Sequence, residues 1–321
     1  MRKLILLTLL LLSILSGDSR ASVPDTVNAG IYITSIHDID FRQKEYLMNV
    51  WLWLKYKRYE FDFTKNLEIP MAKSFEVAYS SIDTLEDGSI YMLMKLACVM
   101  KGTWRINDFP FDRQRLRFGI ENFKYDSKEL VFTADTLGNH YGKYFLVGWE
   151  KDSFNITTDI RKYETAFGDP SYKKPHSEYS AFKVVTVIHR ESWELFSKIF
   201  LGMYIAFLIA CVSFFISPDN VDSRLALSVG ALFAVVGNKY IVDSSLPESS
   251  SFTLVDTLHG ITLIFVFAVI ASTVRSLFLL KHNKEFGAQR QNRITGRILF
   301  AVYMILNLWF ILKAYNSVAA A

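Results

Sequence analysis

Cysteine is almost missing from this chain, with 2 in 321 residues. Cys98 falls in a strand-rich first half and Cys211 in an apolar run, so they are poor disulfide partners, and a disulfide-stapled scaffold is excluded. Histidine is scarce as well: the 6 present are dispersed and lack the spacing of a metal site. No glycine-rich phosphate loop and no nucleophile motif occurs, so no metal, cofactor or catalytic residue is expected and the chain does not read as an enzyme. The net charge is only +4 and scattered, without the basic stripe that nucleic acid would require. Repeats and low-complexity tracts are also lacking.

What the chain has in quantity is apolar residues, 51% of the total, unevenly placed. Met1-Arg2-Lys3, an apolar run over residues 4–15 and Ser19-Arg20-Ala21 together have the form of a secretory signal peptide over residues 1–21, cut after Ala21. The run is too short for a comfortable membrane helix. Residues 22–190 carry short alternating segments at 30–33, 47–56, 90–99, 116–120 and 181–188, with a hairpin signal at Asp87-Gly88. Strands at this spacing, with no amphipathic helix among them, predict an all-β sandwich. Residues 191–321 instead hold four apolar stretches, 196–216, 225–245, 252–280 and 296–315, each long enough to span a bilayer. Between the third and fourth, Arg275, Lys281, Lys284, Arg290, Arg293 and Arg297 face only Glu285, which predicts that this segment lies in the cytoplasm and the sandwich outside.

The second stretch has a helical stripe. At about 100° per residue, Ala226, Gly230, Phe233, Gly237, Ile241 and Ser244 share one face, with Tyr240 at its edge. Small residues around one large apolar ring fit a water-filled pathway constricted at Phe233, and they equally fit close helix packing. Lys239 points away from this stripe. An intramembrane lysine needs a partner, and Asp256 and His259 near the outer end of the third stretch are positioned to supply one. A histidine in such a place is also a candidate proton sensor.

One motif joins the two halves: Asp108-Phe109-Pro110-Phe111-Asp112, followed by Gln114. With four spans behind it, this run resembles the loop of the pentameric ligand-gated ion channels, the Cys-loop receptor superfamily, that relays ligand binding to the pore. The opening Val27-Asn28-Ala29-Gly30-Ile31-Tyr32 is similar to prokaryotic members. Animal members close the loop with a disulfide whose positions correspond to Gly102 and Leu116 here, so the bridge is absent, as in the prokaryotic branch.

The resemblance implies an extracellular β-sandwich on a transmembrane four-helix bundle, a homopentamer in a bacterial inner membrane with the sandwich in the periplasm, and a pore lined by the second span. Setting Leu246-Pro247 on the family's matching pair puts Phe233 at the hydrophobic gate and Asp222 in an acidic ring at the inner mouth, which implies passage of cations. Arg224, about 120° from the stripe, is directed at neighbouring helices or lipid headgroups. The resemblance also places Asp40, Asp112 and Arg190 together where the sandwich meets the membrane, an arginine between two carboxylates. The loop corresponding to the cap of the agonist pocket contains Tyr172, His176, Glu178 and Tyr179, two aromatics for stacking on a cation and two groups that titrate. The family's W-x-D reads Leu54-Lys55-Tyr56, and its W-x-P element ahead of the coupling loop is missing. The reading is a ligand- or proton-gated cation channel, with membrane lipid, ions and an unidentified small agonist as partners. The alternative is a non-conducting periplasmic receptor of the same fold that signals through its basic cytoplasmic segment.

Overall fold

A computed structural model describes residues 23–143, 145–146, 148–168, 176–249, 251–282 and 285–319. The expected signal segment lies outside the described residues. Nine strands are found among them: β1 (Asp25–Asp40), β2 (Glu45–Tyr56), β3 (Leu67–Glu68), β4 (Ala72–Thr84), β5 (Ile90–Lys101), β6 (Gln114–Asn122), β7 (Leu130–Ala134), β8 (Glu150–Tyr163) and β9 (Ser177–His189). They form two sheets, ordered β4-β5-β2-β1-β7 and β3-β6-β9-β8. All neighbours are antiparallel except β1 and β7, which pair in parallel from Asp25↔Leu130 to Ala29↔Ala134.

The sandwich follows from period-2 patterning. Along β2, every second residue from Tyr46 to Tyr56 is buried and the residues between are half-buried. β5 alternates in the same way, so Leu52, Leu54, Met92, Met94 and Leu96, with Phe132 of the same sheet, share one core with Phe118 and Phe182 of the other. Each large apolar side chain fully buried there contributes about 1.5–3 kcal/mol. β4 differs: Phe75, Val77, Tyr79 and Ile82 along this edge strand are all exposed.

Four long helices follow: α1 (Ser192–Val212, continued by a 3₁₀ turn at Ser213–Phe215), α2 (Val221–Ser244), α3 (Leu254–Lys281) and α4 (Glu285–Ala319). Each is long and apolar enough to cross a membrane, and a third or less of its most apolar stretch is buried within the chain. Those uncovered apolar faces need lipid or further protein against them. α3 starts on a capping box in which the Thr253 hydroxyl accepts from Asp256 N while the Asp256 carboxylate accepts from Thr253 N. α4 begins well before the apolar stretch starting at 296, so Arg290, Arg293 and Arg297 stand on a helix rather than in a connecting loop.

The coupling loop packs into the core of the helices. Phe109 and Phe111 belong to the same buried cluster as Phe196 and Phe200. The Phe111 ring lies 5.0 Å from Trp193, 5.6 Å from Phe196 and 5.9 Å from Tyr315. Polar ties add direction: Leu254 N donates to Asn107 O at 2.7 Å and Ser317 Oγ to Asp108 Oδ2 at 3.1 Å. The Phe109-Pro110 peptide is cis.

Candidate functional site at the membrane junction

Arg190 occupies the short link between β9 and α1, where any rotation of the sandwich must reach the helices. Its guanidinium lies 3.9 Å from the Trp149 ring centre, 4.7 Å from Phe41 and 5.4 Å from Phe109. Phe41 and Trp149 are themselves parallel, 6.0 Å apart. A planar cation among aromatic faces is held by cation–π attraction, which strengthens as water is removed.

Asp112 is buried beside this cage and accepts a hydrogen bond from Gln114 Nε2. Burial pushes its carboxyl above the usual carboxylate range, against the opposing pull of Arg190 and of the Gln114 bond. Burial likewise draws the Arg190 guanidinium down, and Asp112 opposes that shift. The two charges sense one another without a direct bond: Asp112 Oδ1 and Arg190 Nε and Nη2 have no hydrogen-bond partner among the described residues.

Asp40 does not join them. Its carboxylate is exposed and accepts from Gln43 N at 2.7 Å, capping its own turn, while its carbonyl accepts from Trp104 Nε1 at 3.0 Å. The expected arginine between two carboxylates is therefore corrected to an arginine among three rings with one acid nearby. The physical cause is local: the β1–β2 turn uses Asp40 for itself and presents the next residue, Phe41, to the guanidinium. Sequence reasoning missed Phe41 and Trp149, which lie far from Arg190 along the chain and meet it only in the fold. It also left Gln114 without a role, although its amide clamps Arg105 from both sides, donating to Arg105 O at 2.8 Å and accepting from Arg105 N at 3.1 Å.

On α2 the burial pattern sorts the residues by face. Asp222, Ala226, Gly230, Phe233, Gly237, Tyr240, Ile241 and Ser244 are exposed in the single chain, whereas Arg224, Ser228, Ala231, Val235 and Val242 are buried. A Cβ added at Gly230 or Gly237 would meet nothing within 4 Å, so neither glycine seats another helix of this chain. Gly202 on α1 does so instead, lying 3.2 Å by the same measure from the Asn238 amide. Arg224 turns inward, donating to Ser213 O at 2.9 Å and to Asn292 Oδ1 at 3.1 Å. It thereby satisfies a carbonyl at the end of α1, where unpaired carbonyls and the helix dipole favour a cation.

Lys239 on α2 bridges two acids, Asp243 on its own helix and Asp256 on α3, each at 2.7 Å. Asp243, one helical turn from the lysine, had gone unnoticed. His259 is not a partner of Lys239. Fully buried, it faces Val255 O with Nδ1 at 2.8 Å and Asn238 Oδ1 with Nε2 at 2.9 Å. Asn238 in turn donates to Ile199 O on α1 at 3.2 Å, so one amide ties three helices together.

In the loop expected to cap a ligand pocket, Tyr172 lies outside the described residues. His176 Nε2 is 2.9 Å from Glu178 Oε1, both at the surface side of the hairpin. Tyr179 packs with Tyr163 and Phe167 at 5.9 and 6.3 Å. Behind these rings lies Glu121, which sequence reasoning missed; it accepts from Tyr163 Oη at 2.8 Å and pairs with Arg161 at 2.9 Å. Its carboxyl is pushed up by burial, with Tyr163 and Arg161 opposing.

A β-sandwich followed by four apolar helices, joined through an aromatic-proline loop seated on those helices, is a folded domain mechanically tied to a candidate membrane bundle. No family model matches the chain. It is similar to a proton-gated ion channel of Gloeobacter violaceus, at 23% identity covering 89% of this chain and 83% of that protein. It is also similar to the glycine receptor subunit beta of Rattus norvegicus and of Homo sapiens, at 22% identity over 64% of this chain; it spans 40% of the length of those subunits. The β-sandwich followed by four long apolar helices fits the architecture of pentameric ligand-gated ion channels, the class to which these relatives point. Four helices long and apolar enough to cross a membrane, together with ion-channel relatives that are not enzymes, support a multi-pass membrane protein of that non-enzymatic class.

Proposed function

We propose that five copies of this chain form a cation channel of a bacterial inner membrane, with the α2 helices around the axis and the sandwiches in the periplasm. The observation that carries this reading is the α2 face. Eight residues forming one stripe stay uncovered by the rest of the chain, and its glycines have open space in front of them. Close packing within the chain would have filled that space, so the face is free to meet water or neighbouring subunits. Asp222 at its inner end would bring five carboxylates together, which concentrates cations and repels anions. With Asp222→Asn, the reversal potential in a salt gradient is expected to move away from the cation value, with several-fold less discrimination against chloride. An unchanged reversal potential would place selectivity elsewhere.

Protons are the trigger that two features favour: the relative from Gloeobacter violaceus is a proton-gated ion channel, and His259 has an acceptor at each ring nitrogen. Asn238 cannot turn over to help without losing its bond to Ile199 O. A neutral ring donates from one nitrogen only, so one of the two contacts sets a lone pair against an oxygen. The doubly protonated ring donates to both. Gaining or losing that proton therefore remakes the tie between α1, α2 and α3, within reach of Lys239, Asp243 and Asp256. His259→Phe keeps a ring and removes both donors. The expected result in oocyte recordings is loss or a shift of at least one pH unit in the response, with pentamer assembly intact. A parent-like pH response would remove His259 from the trigger. If the parent assembles at the surface and stays silent across pH and a panel of amines and amino acids, the non-conducting receptor becomes the better reading.

A further inference from the structure

Near the ends of three helices the bundle encloses a charge that neither the pore stripe nor the sandwich uses. Arg224, the fourth residue of α2, is fully buried within the single chain, so a neighbouring subunit cannot reach it. No carboxylate pairs with it among the described residues. Its Nε donates to Ser213 O at 2.9 Å, Nη2 donates to Asn292 Oδ1 at 3.1 Å, and Nη1 has no partner. A buried guanidinium without a counter-charge is costly, and neutral acceptors offset only part of that cost. Its place inside the bundle therefore depends on each of the two contacts it has.

Acids stand at the same end of α2, but outside. Asp219 and Asp222 are both exposed, and Asp219 accepts from Ser217 Oγ. Arg224 is two residues from Asp222, about 3 Å along the axis, and roughly 4.5 Å from the first residue of the helix. An arginine stem spans further than that, so a released guanidinium reaches the open end of α2. There it lies within the ~8 Å over which charges act on one another in physiological salt.

The contact that prevents this comes from α4. Asn292, itself buried, and Gly296 are one turn apart on the same face of that helix. A Cβ at Gly296 would lie 3.1 Å from the Phe214 ring, so the glycine lets α4 approach the end of α1 closely. Phe214 adjoins Ser213, whose carbonyl takes the other contact from Arg224. The glycine thus sets the depth at which the Asn292 amide meets the guanidinium.

We infer that Asn292 is a positioning residue for ion selection: it holds the Arg224 guanidinium inside the bundle, away from the Asp222 carboxylates at the mouth of the pore. The effect on selection rests on the proposed cation pore; the holding contact does not. Asn292 thereby links the cytoplasmic start of α4 to the charge at the mouth without facing the pore itself.

The test has two readouts. Asn292→Ala changes no formal charge, yet in a sodium chloride gradient its reversal potential is expected to move away from the cation value, with about threefold less discrimination against chloride. Arg224→Gln/Asn292→Ala is expected to behave as Arg224→Gln alone, because the charge that does the harm is gone. The second readout needs no conduction: phenylglyoxal modification of Arg224 in the purified full-length assembly, followed by peptide mass spectrometry. Modification is expected to be several times faster in Asn292→Ala and in Gly296→Ala than in the parent, and unchanged in Gln289→Ala, an exposed site on the same helix. Parent-like labelling in Asn292→Ala would overturn the holding contact. Faster labelling with an unchanged reversal potential would overturn the role in selection, as would an Asn292→Ala shift that persists without Arg224. A parent that passes no cations would sink the proposed function and the selection role with it, while the labelling comparison would still decide whether Asn292 holds Arg224. Should Asn292→Ala not assemble, Asn292→Ser, which shortens the side chain and keeps it polar, decides the same comparisons.

Discussion

Replacing Arg190 with glutamine is expected to reduce evoked current at least tenfold while leaving assembly and surface delivery unchanged. The residue is the junction between β9 and α1, and its guanidinium is gripped by Trp149, Phe41 and Phe109 from three separate segments. Motion of the sandwich reaches α1 only through elements that hold together while moving. Partly desolvated cation–π contacts contribute about 1–2 kcal/mol. If glutamine removes ~1 kcal/mol in each of five subunits of a concerted transition, the total reaches ~5 kcal/mol, more than a thousandfold in the equilibrium. Arg190→Lys should recover part of the response, because an ammonium keeps the charge but loses the planar stacking. The ordering of variants separates this cage from an arginine–carboxylate bridge. Asp112 Oδ1 makes no hydrogen bond, so Asp112→Asn should cost much less than Arg190→Gln, whereas a bridge would make them comparable. Concentration–response curves paired with surface labelling give the answer. Surface-exposed Arg190→Gln responding like the parent would remove the cage from the gating path.

The reasons this cage was not legible in the sequence are specific. Phe41, Phe109 and Trp149 are scattered along the chain, and only the tertiary fold makes them neighbours. By contrast, β2 and β5 were legible because each is buried on one face and partly exposed on the other, which imposes alternation on the residues. β4 was passed over although Phe75, Val77 and Tyr79 recur at every second residue, because this edge strand has no buried face to extend that contrast along its length. The four spans were visible from length and composition, but the polar first turns of α4 hid its start, since helix formation there needs no apolar face. Lys239 pointed to Asp256 because a charge in a membrane demands a partner. Asn238 drew no such attention, although it ties α1 and α3 to α2. Sequence reasoning found residues whose isolation would be costly and passed over those whose importance is purely positional.

Phe233→Ala is expected to produce a channel that leaks at rest. Phe233 is 70% exposed on the uncovered face of α2, three residues after Gly230 and four before Gly237. Neither glycine offers a side chain, so in a five-fold ring the phenylalanine would be the widest apolar obstruction along that part of the helix. An apolar constriction of this kind blocks ions by excluding water rather than by filling the passage completely. Shortening the ring to a methyl group at five positions widens the constriction and lowers the cost of wetting it. A loss of ~0.5 kcal/mol per subunit would shift the closed state by ~2.5 kcal/mol, on the order of 60-fold. Flux of a monovalent cation from proteoliposomes, without any stimulus, should therefore rise well above the parent level, and a pore blocker or Asp222→Asn in the same background should alter it. Parent-like resting flux together with a parent-like evoked response would mean that Phe233 is turned away from the ions, and that the uncovered face of α2 meets another helix instead of water.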